Sequence, residues 1–181
     1  LIVADALVHA SAHDGIRQSK AAHVFAAHND PNAFADAIAQ WRTGGGTGRV
    51  WIAIETLYSM DGDIAPVAAL AEIAVQHDAI LLFDEAHATG VFGPGGRGIA
   101  TALEGLGNVV SLHTCGKGLG VEGALVCGPR SVVDWLVNRA RPFIFSTAPS
   151  PLMAVAVGAA LRRIEGADDL RSDLLALRDR A

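Results

Sequence analysis

Six short apolar runs constrain this chain more than any other feature: Leu1–Ala4, His23–Ala26, Val50–Ile54, Ala79–Phe83, Val109–Leu112 and Ala124–Cys127. Runs of this length, apolar without alternation, mark strands covered on both faces. Helical stripes lie between them. Asp30-Pro31 pairs a capping acid with a proline at the first helical position, and Phe34, Ala37, Ile38 and Trp41 then share one helical face. Pro66 opens a second helix with Val67, Leu70, Ala71 and Ala74 inward, and Pro129 opens a third with Val132, Val133, Leu136 and Val137 inward. Strands alternating with helices give an α/β fold, a three-layer sandwich around a mostly parallel sheet. The sheet domain is expected over residues 1–149. The small-residue helix Pro151–Arg163 is expected to begin a second unit over 150–181.

Composition narrows what such a sheet serves. Of the 181 residues, 51% are hydrophobic and 18% charged, which excludes a disordered chain and provides for a sizeable core. A formal charge of −5 argues against binding nucleic acid or an anionic membrane. The longest uncharged run, Pro142–Leu161, is broken by prolines and hydroxyls, and its apolar part, Leu152–Leu161, is far short of the ~20 residues a bilayer needs. Two cysteines, Cys115 and Cys127, build neither a disulfide framework nor a cysteine-rich zinc site. No targeting pattern is read, so a cytoplasmic location is expected. Residue 1 is Leu inside a strand pattern, and Leu170–Ala181 stops inside a helical one, so an internal piece of a longer protein is expected.

In open parallel sheets, ligands sit at the carboxyl ends of the strands. Asp84-Glu85-Ala86-His87 directly follows the run Ala79–Phe83. An acid there is expensive unless a cation partners it, and the bland alternative is a helix cap or surface turn. Thr114-Cys115-Gly116-Lys117-Gly118-Leu119-Gly120 follows Val109–Leu112. Glycines admit close approach of a bound group, and a desolvated lysine can serve as a Schiff-base amine. Lys20 is the only other lysine. Ser59-Met60-Asp61-Gly62-Asp63 follows Val50–Ile54, with a hydroxyl and carboxylates that plain turn chemistry also explains. His9, in Val8-His9-Ala10-Ser11, follows the first strand. Gly93-Pro94-Gly95-Gly96-Arg97-Gly98 matches G-x-G-x-x-G but closes no strand, so it is no dinucleotide loop. Gly44–Gly48 precedes a strand rather than a helix and reads as a connection. No metal site is expected, because the chain holds no H-E-x-x-H, no C-x-x-C and no EF-hand loop.

Two functions compete for these motifs. An apolar strand ending in Asp-Glu-Ala-His resembles the magnesium-holding box of DEAH-type NTPases. That chemistry needs G-x-x-x-x-G-K-[ST], and Lys117 is followed by Gly118. The acidic balance also opposes a helicase. Taken together, an acid at one strand end, a lysine at a later one, and histidine and serine nearby suit a pyridoxal-phosphate site. There a lysine holds the aldehyde, a carboxylate keeps the pyridine nitrogen protonated, and the ring takes up the electrons of a carbanion.

The runs Ser59–Pro66, Asp84–Gly90, Gly95–Gly98, Thr114–Gly120 and Arg141–Thr147, in this order, resemble the α-oxoamine synthase family of fold-type-I pyridoxal-phosphate enzymes. The likeness runs from about Asp5 to Ile164. It implies that Lys117 is the Schiff-base lysine and Asp84 the pyridine-nitrogen partner. It places His87 and Ser59 near the phenolic oxygen, His9 against the ring and Thr114 on the phosphate. Ser146 and Thr147 would reach the phosphate of a neighbouring subunit, which implies a homodimer. Cys115 stands where relatives often carry Leu or Phe. The implied reaction is the decarboxylative condensation of an amino acid with an acyl-CoA or acyl-ACP thioester. The Thr114–Ala124 run leans toward the biotin-pathway branch, with L-alanine and a pimeloyl thioester as substrates. Glycine C-acetyltransferase, 5-aminolevulinate synthase and serine palmitoyltransferase types stay open as siblings. In the family an upstream phosphate-clasping segment and a C-terminal carboxylate-binding arginine complete the site. Neither lies in these residues, so the piece alone is expected to be inactive.

Overall fold

A computed structural model describes residues 1–180. Its six strands are β1 (Ile2–Asp5), β2 (His23–Ala26), β3 (Trp51–Glu55), β4 (Ile80–Asp84), β5 (Val109–Thr114) and β6 (Ala124–Cys127). They form one sheet in the order β2-β1-β3-β4-β5-β6, parallel throughout except for the antiparallel β5–β6 pair. The helices are α1 (Ala10–Gln18), α2 (Pro31–Thr43), α3 (Val67–Gln76), α4 (Arg130–Arg139), α5 (Arg141–Ile144), α6 (Pro151–Glu165) and α7 (Asp168–Arg178). The expected α/β sandwich with a mostly parallel sheet is the fold observed. No helix among the described residues is long and apolar enough to cross a membrane.

The period of two along each strand sorts side chains between two layers. Val3, Ile52, Ile54, Leu81, Phe83 and Val109 face one layer and pack with Phe34 and Ile38 of α2 and Leu70 and Ala74 of α3. Ala4, Ala53 and Leu82 face the other, where Val8 and Ile16 of the α1 region cover them. Asp30 caps α2, its carboxylate accepting from the Asn32 N–H at 3.0 Å. Pro66 and Pro129 stand one residue earlier than expected, as N-caps rather than first helical residues.

Three expected strands begin and end one residue later than their apolar runs. The ladder does not stop at the last hydrophobic residue: Asp5, Glu55 and Asp84 are themselves paired, with Glu55 opposite Asp84. β5 likewise continues through His113 and Thr114. Val137, expected inward on α4, is 49% exposed, and an apolar groove lies between α4 and the sheet. α1 was not expected. It buries only Ile16 and carries Gly15, so its stripe is faint, and its N-cap is His9.

Candidate active site

One face of the sheet carries the site, and the strand period puts it there. Counting by twos from the apolar residues Ala53, Leu82 and Leu112 gives Glu55, Asp84 and Thr114 at the carboxyl ends of β3, β4 and β5. A cavity of about 210 Å³ opens here, lined by Val8, His9, Glu55, Leu82, Asp84 and Leu112. The His9 ring is fixed by its capping role. Its Nδ1 accepts from the Ser11 N–H at 3.2 Å and lies 2.8 Å from Ser11 Oγ.

The loops after β4 and β5 are pressed together. A Cβ at Gly118 would lie 2.3 Å from the Thr89 carbonyl oxygen, and one at Gly90, whose φ is +88°, would lie 3.4 Å from Gly118. No side chain fits at position 118, and this contact presents the exposed neighbour Lys117 beside the Asp84–His87 turn. Burial lowers the His87 pKa, and the Lys117 ammonium and His9 add to that while Asp84 opposes it. His87 thus senses Lys117, Asp84 and His9 together. The Asp84 Oδ1 accepts from the Ala86 N–H at 2.9 Å, which turns the chain just past β4.

The remaining expected residues divide in two. Ser59 joins the cluster, its N–H donating to Glu55 Oε2 at 3.2 Å. Thr114 ends β5, with its buried Oγ1 lacking any partner. Ser146 and Thr147 stand apart. Both are exposed on the link between α5 and α6, the Ser146 hydroxyl bonds the Pro142 carbonyl, and neither bonds the cluster.

Some residues here were not anticipated. Glu55 is 3% exposed and its Oε1 has no partner. Burial, then the neighbouring Asp84 charge, pushes its carboxyl above the ordinary glutamate range. Glu85 is the fully buried acid of the turn, and among the described residues no lysine or arginine pairs with it. Thr56 Oγ1 donates to it at 2.7 Å, and the Ile99 and Ala100 N–H groups donate at 3.0 and 2.6 Å. Gly98 is required there, because a Cβ would lie 2.6 Å from the Glu85 carboxyl carbon. The Gly93–Gly98 stretch is therefore a wrapper for a buried carboxylate. The only signal for Glu55 was its position four residues before Ser59 at a strand end.

The arrangement suits a planar, phosphorylated, aldehyde-bearing group. Thr114 offers an unspent hydroxyl, Lys117 an accessible amine, Asp84 a carboxylate and His9 a fixed flat ring. The chain belongs to the aminotransferase class I and II family, whose model matches residues 1–181. Among its relatives are 8-amino-7-oxononanoate synthases. That of Paraburkholderia xenovorans is 46% identical over 166 residues, covering 91% of this chain and 41% of its own length. That of Anaeromyxobacter dehalogenans is 43% identical over 178 residues, covering 97% and 44%. Among solved structures, serine palmitoyltransferase from S. paucimobilis, with bound pyridoxal phosphate as a myriocin adduct, superposes with a TM-score of 0.85 at 29% identity, covering 97% of this chain and 45% of that one. The chain spans less than half the length of these relatives.

Proposed function

We propose that the protein containing this chain is a pyridoxal-phosphate-dependent acyltransferase that condenses L-alanine with a pimeloyl thioester, giving 8-amino-7-oxononanoate for biotin synthesis. The observation that carries this reading is the convergence of Lys117, Asp84, His87 and His9 at the strand ends of a chain 41–46% identical to several synthases of that name. Pyridoxal phosphate, when bound, supplies a sink for the electron pair left on the amino acid's Cα.

The chain's own residues divide the remaining work. Lys117 Nζ would hold the aldehyde carbon, and the same amine would take the proton from the amino acid's Cα and later return one. That role needs an amine neutral near the working pH. Asp84 would keep a proton on the pyridine nitrogen, beside Glu55, whose carboxyl burial and the Asp84 charge push above the ordinary glutamate range. His87 and Ser59 would hold the phenolic oxygen, His9 would lie against the ring, and Thr114 Oγ1 would bind the phosphate. Ser146 and Thr147 reach the phosphate of a second copy. Their exposure, beside the exposed Phe143 and Phe145, supports a homodimer. The chain divides at 149/150 into the sheet domain and the start of a smaller one, a reading supported by α6 burying no residue against the sheet. A cytoplasmic location is part of the same reading, supported by the free cysteines.

The sibling reading rests on the serine palmitoyltransferase structures, two of which superpose with TM-scores of 0.85 and 0.86. Full-length protein loaded with pyridoxal phosphate and given paired amino acids and acyl thioesters separates the two. Coenzyme A release with L-alanine and pimeloyl-CoA is expected. Release only with glycine or serine moves the protein to a sibling activity.

A further inference from the structure

On the opposite side of the sheet from Asp84, His28 stands between two carboxylates. Its Nδ1 lies 2.8 Å from Asp5 Oδ1 and its Nε2 lies 2.8 Å from Asp63 Oδ2. An ionised carboxylate only accepts, so a ring bonded through both nitrogens must carry both protons. A neutral ring would set a lone pair against one of the two oxygens. We propose that His28 is a positioning residue: as an imidazolium donating to Asp5 and Asp63 at once, it fastens the Ser59-bearing turn to the end of β1.

The surroundings fit a clamp. Asp5, 1% exposed, also accepts from the Leu7 and Asn29 N–H groups, each at 2.8 Å, so it is a fixed anchor. Asn29 donates through Nδ2 to Asp63, adding a second tie to the turn. The turn closes on itself, Tyr58 N–H to Asp63 O and Ala65 N–H to Thr56 O, both 3.0 Å. Its other flank is tied by the Ser59 N–H to Glu55. The titratable groups facing His28 are Asp5 from β1, Asp61 and Asp63 from the turn, and Tyr58, whose ring meets it edge-on at 4.5 Å. No lysine or arginine bonds either clamp carboxylate among the described residues. Burial opposes the charged ring, but the hydrogen bonds to Asp5 and Asp63 and their charges hold its pKa above the ordinary histidine value. His28, Asp61 and Asp63 also bring ligand-type atoms within 4.8 Å of one another, but both ring nitrogens are already committed to carboxylates, so the cluster is an ion-pair clamp.

Ser59 thus sits between two fixings, one to Glu55 on the cofactor side and one through Asp63 to His28. That Ser59 then meets the phenolic oxygen rests on the function proposed above; the clamp itself does not. The test is amide hydrogen exchange of the full-length protein at Tyr58, Ser59 and Ala65, with ¹⁵N resonances of the His28 ring. The expected native result is an imidazolium spectrum near neutral pH. In His28→Gln, exchange at those amides should rise on the order of tenfold or more, the loss of one charge-assisted bond. Asp63→Asn, at a half-exposed side chain, should keep the fold while His28 loses its second proton at lower pH. With pyridoxal phosphate bound, His28→Gln should also shift the pH at which its absorbance changes. A neutral His28 in the native protein, or native-like exchange in His28→Gln, overturns the clamp. Failure of the native protein to bind the cofactor contradicts the functional reading, and the exchange result then still decides the clamp.

Discussion

The five-strand parallel part of the molecule and its C-terminal third are built to different standards. From β1 to β5, apolar side chains on both faces of the sheet are buried, and Phe34, Phe83, Ile38 and Ile52 are wholly enclosed. Beyond Leu119, only Ala167 and Arg171 are buried among the described residues. There Trp135, Phe143 and Phe145 are 61%, 65% and 72% exposed, and an apolar groove of about 560 Å³ separates α4 from the sheet. Every residue that converges on the candidate site hangs from the packed half. Ser146 and Thr147, which do not converge, lie in the open third. A rigid sheet holds strand ends in place, and catalytic geometry requires that precision. The open third presents surface instead.

The largest expected effect lies at the strand ends. Asp84→Asn in the full-length protein should keep the fold and lose activity on the order of 10³-fold, as if ring protonation lowered the barrier by roughly 4 kcal/mol. Steady-state turnover of the cofactor-loaded variant checks this, and near-native turnover would make Asp84 structural. Next comes the packed half's own integrity. Glu85→Gln turns an amide N–H₂ toward backbone donors that now lack an acceptor, and should cost about 2–4 kcal/mol by denaturant unfolding. Gly118→Ala, with its Cβ against the Thr89 carbonyl, should displace the Lys117 loop and weaken cofactor binding more than it lowers stability.

A smaller effect divides two histidines. The folded pKa of His87 is lowered, so the folded state binds fewer protons than the unfolded state below the ordinary value of ~6.5. Its contribution falls as pH drops through that window. His28 is raised, so its contribution is full below ~6.5 and is lost as pH rises through its folded pKa. Unfolding free energy measured against pH should therefore lose its acid-side slope in His87→Gln and its alkaline-side slope in His28→Gln. The same slope change in both variants would break the contrast. The smallest effect belongs to the open third. Trp135→Gln should alter stability by no more than ~0.5 kcal/mol, because its ring is already largely in water. A larger loss would mean that the groove beside α4 is closed in solution.

Much of this contrast was legible in the residues. Alternating apolar runs and capped stripes gave the sheet and the helices that bury Phe34, Ile38 and Leu70, since burial on both faces leaves an uninterrupted apolar signal. The Asp84–His87 and Thr114–Gly120 motifs were legible because each is contiguous and sits just past a strand. What escaped depends on register or distant pairing. Glu55 meets Asp84 only because β3 and β4 align them. His28 meets Asp5 across 23 positions and Asp63 across 35. Glu85 had no role of its own in the sequence reading, because backbone N–H donors from residues 99 and 100 leave no mark in sequence. The exposure of Val137 escaped because an inward stripe signals what a helix could bury, and here a groove separates α4 from the sheet.

The account rests on Lys117 being the amine that holds the cofactor. Borohydride reduction of the cofactor-loaded full-length protein, followed by proteolysis and peptide mapping, tests this directly. A pyridoxyl group on the peptide containing Lys117 is the expected result. A pyridoxyl group on Lys20, or on no lysine at all, would contradict it.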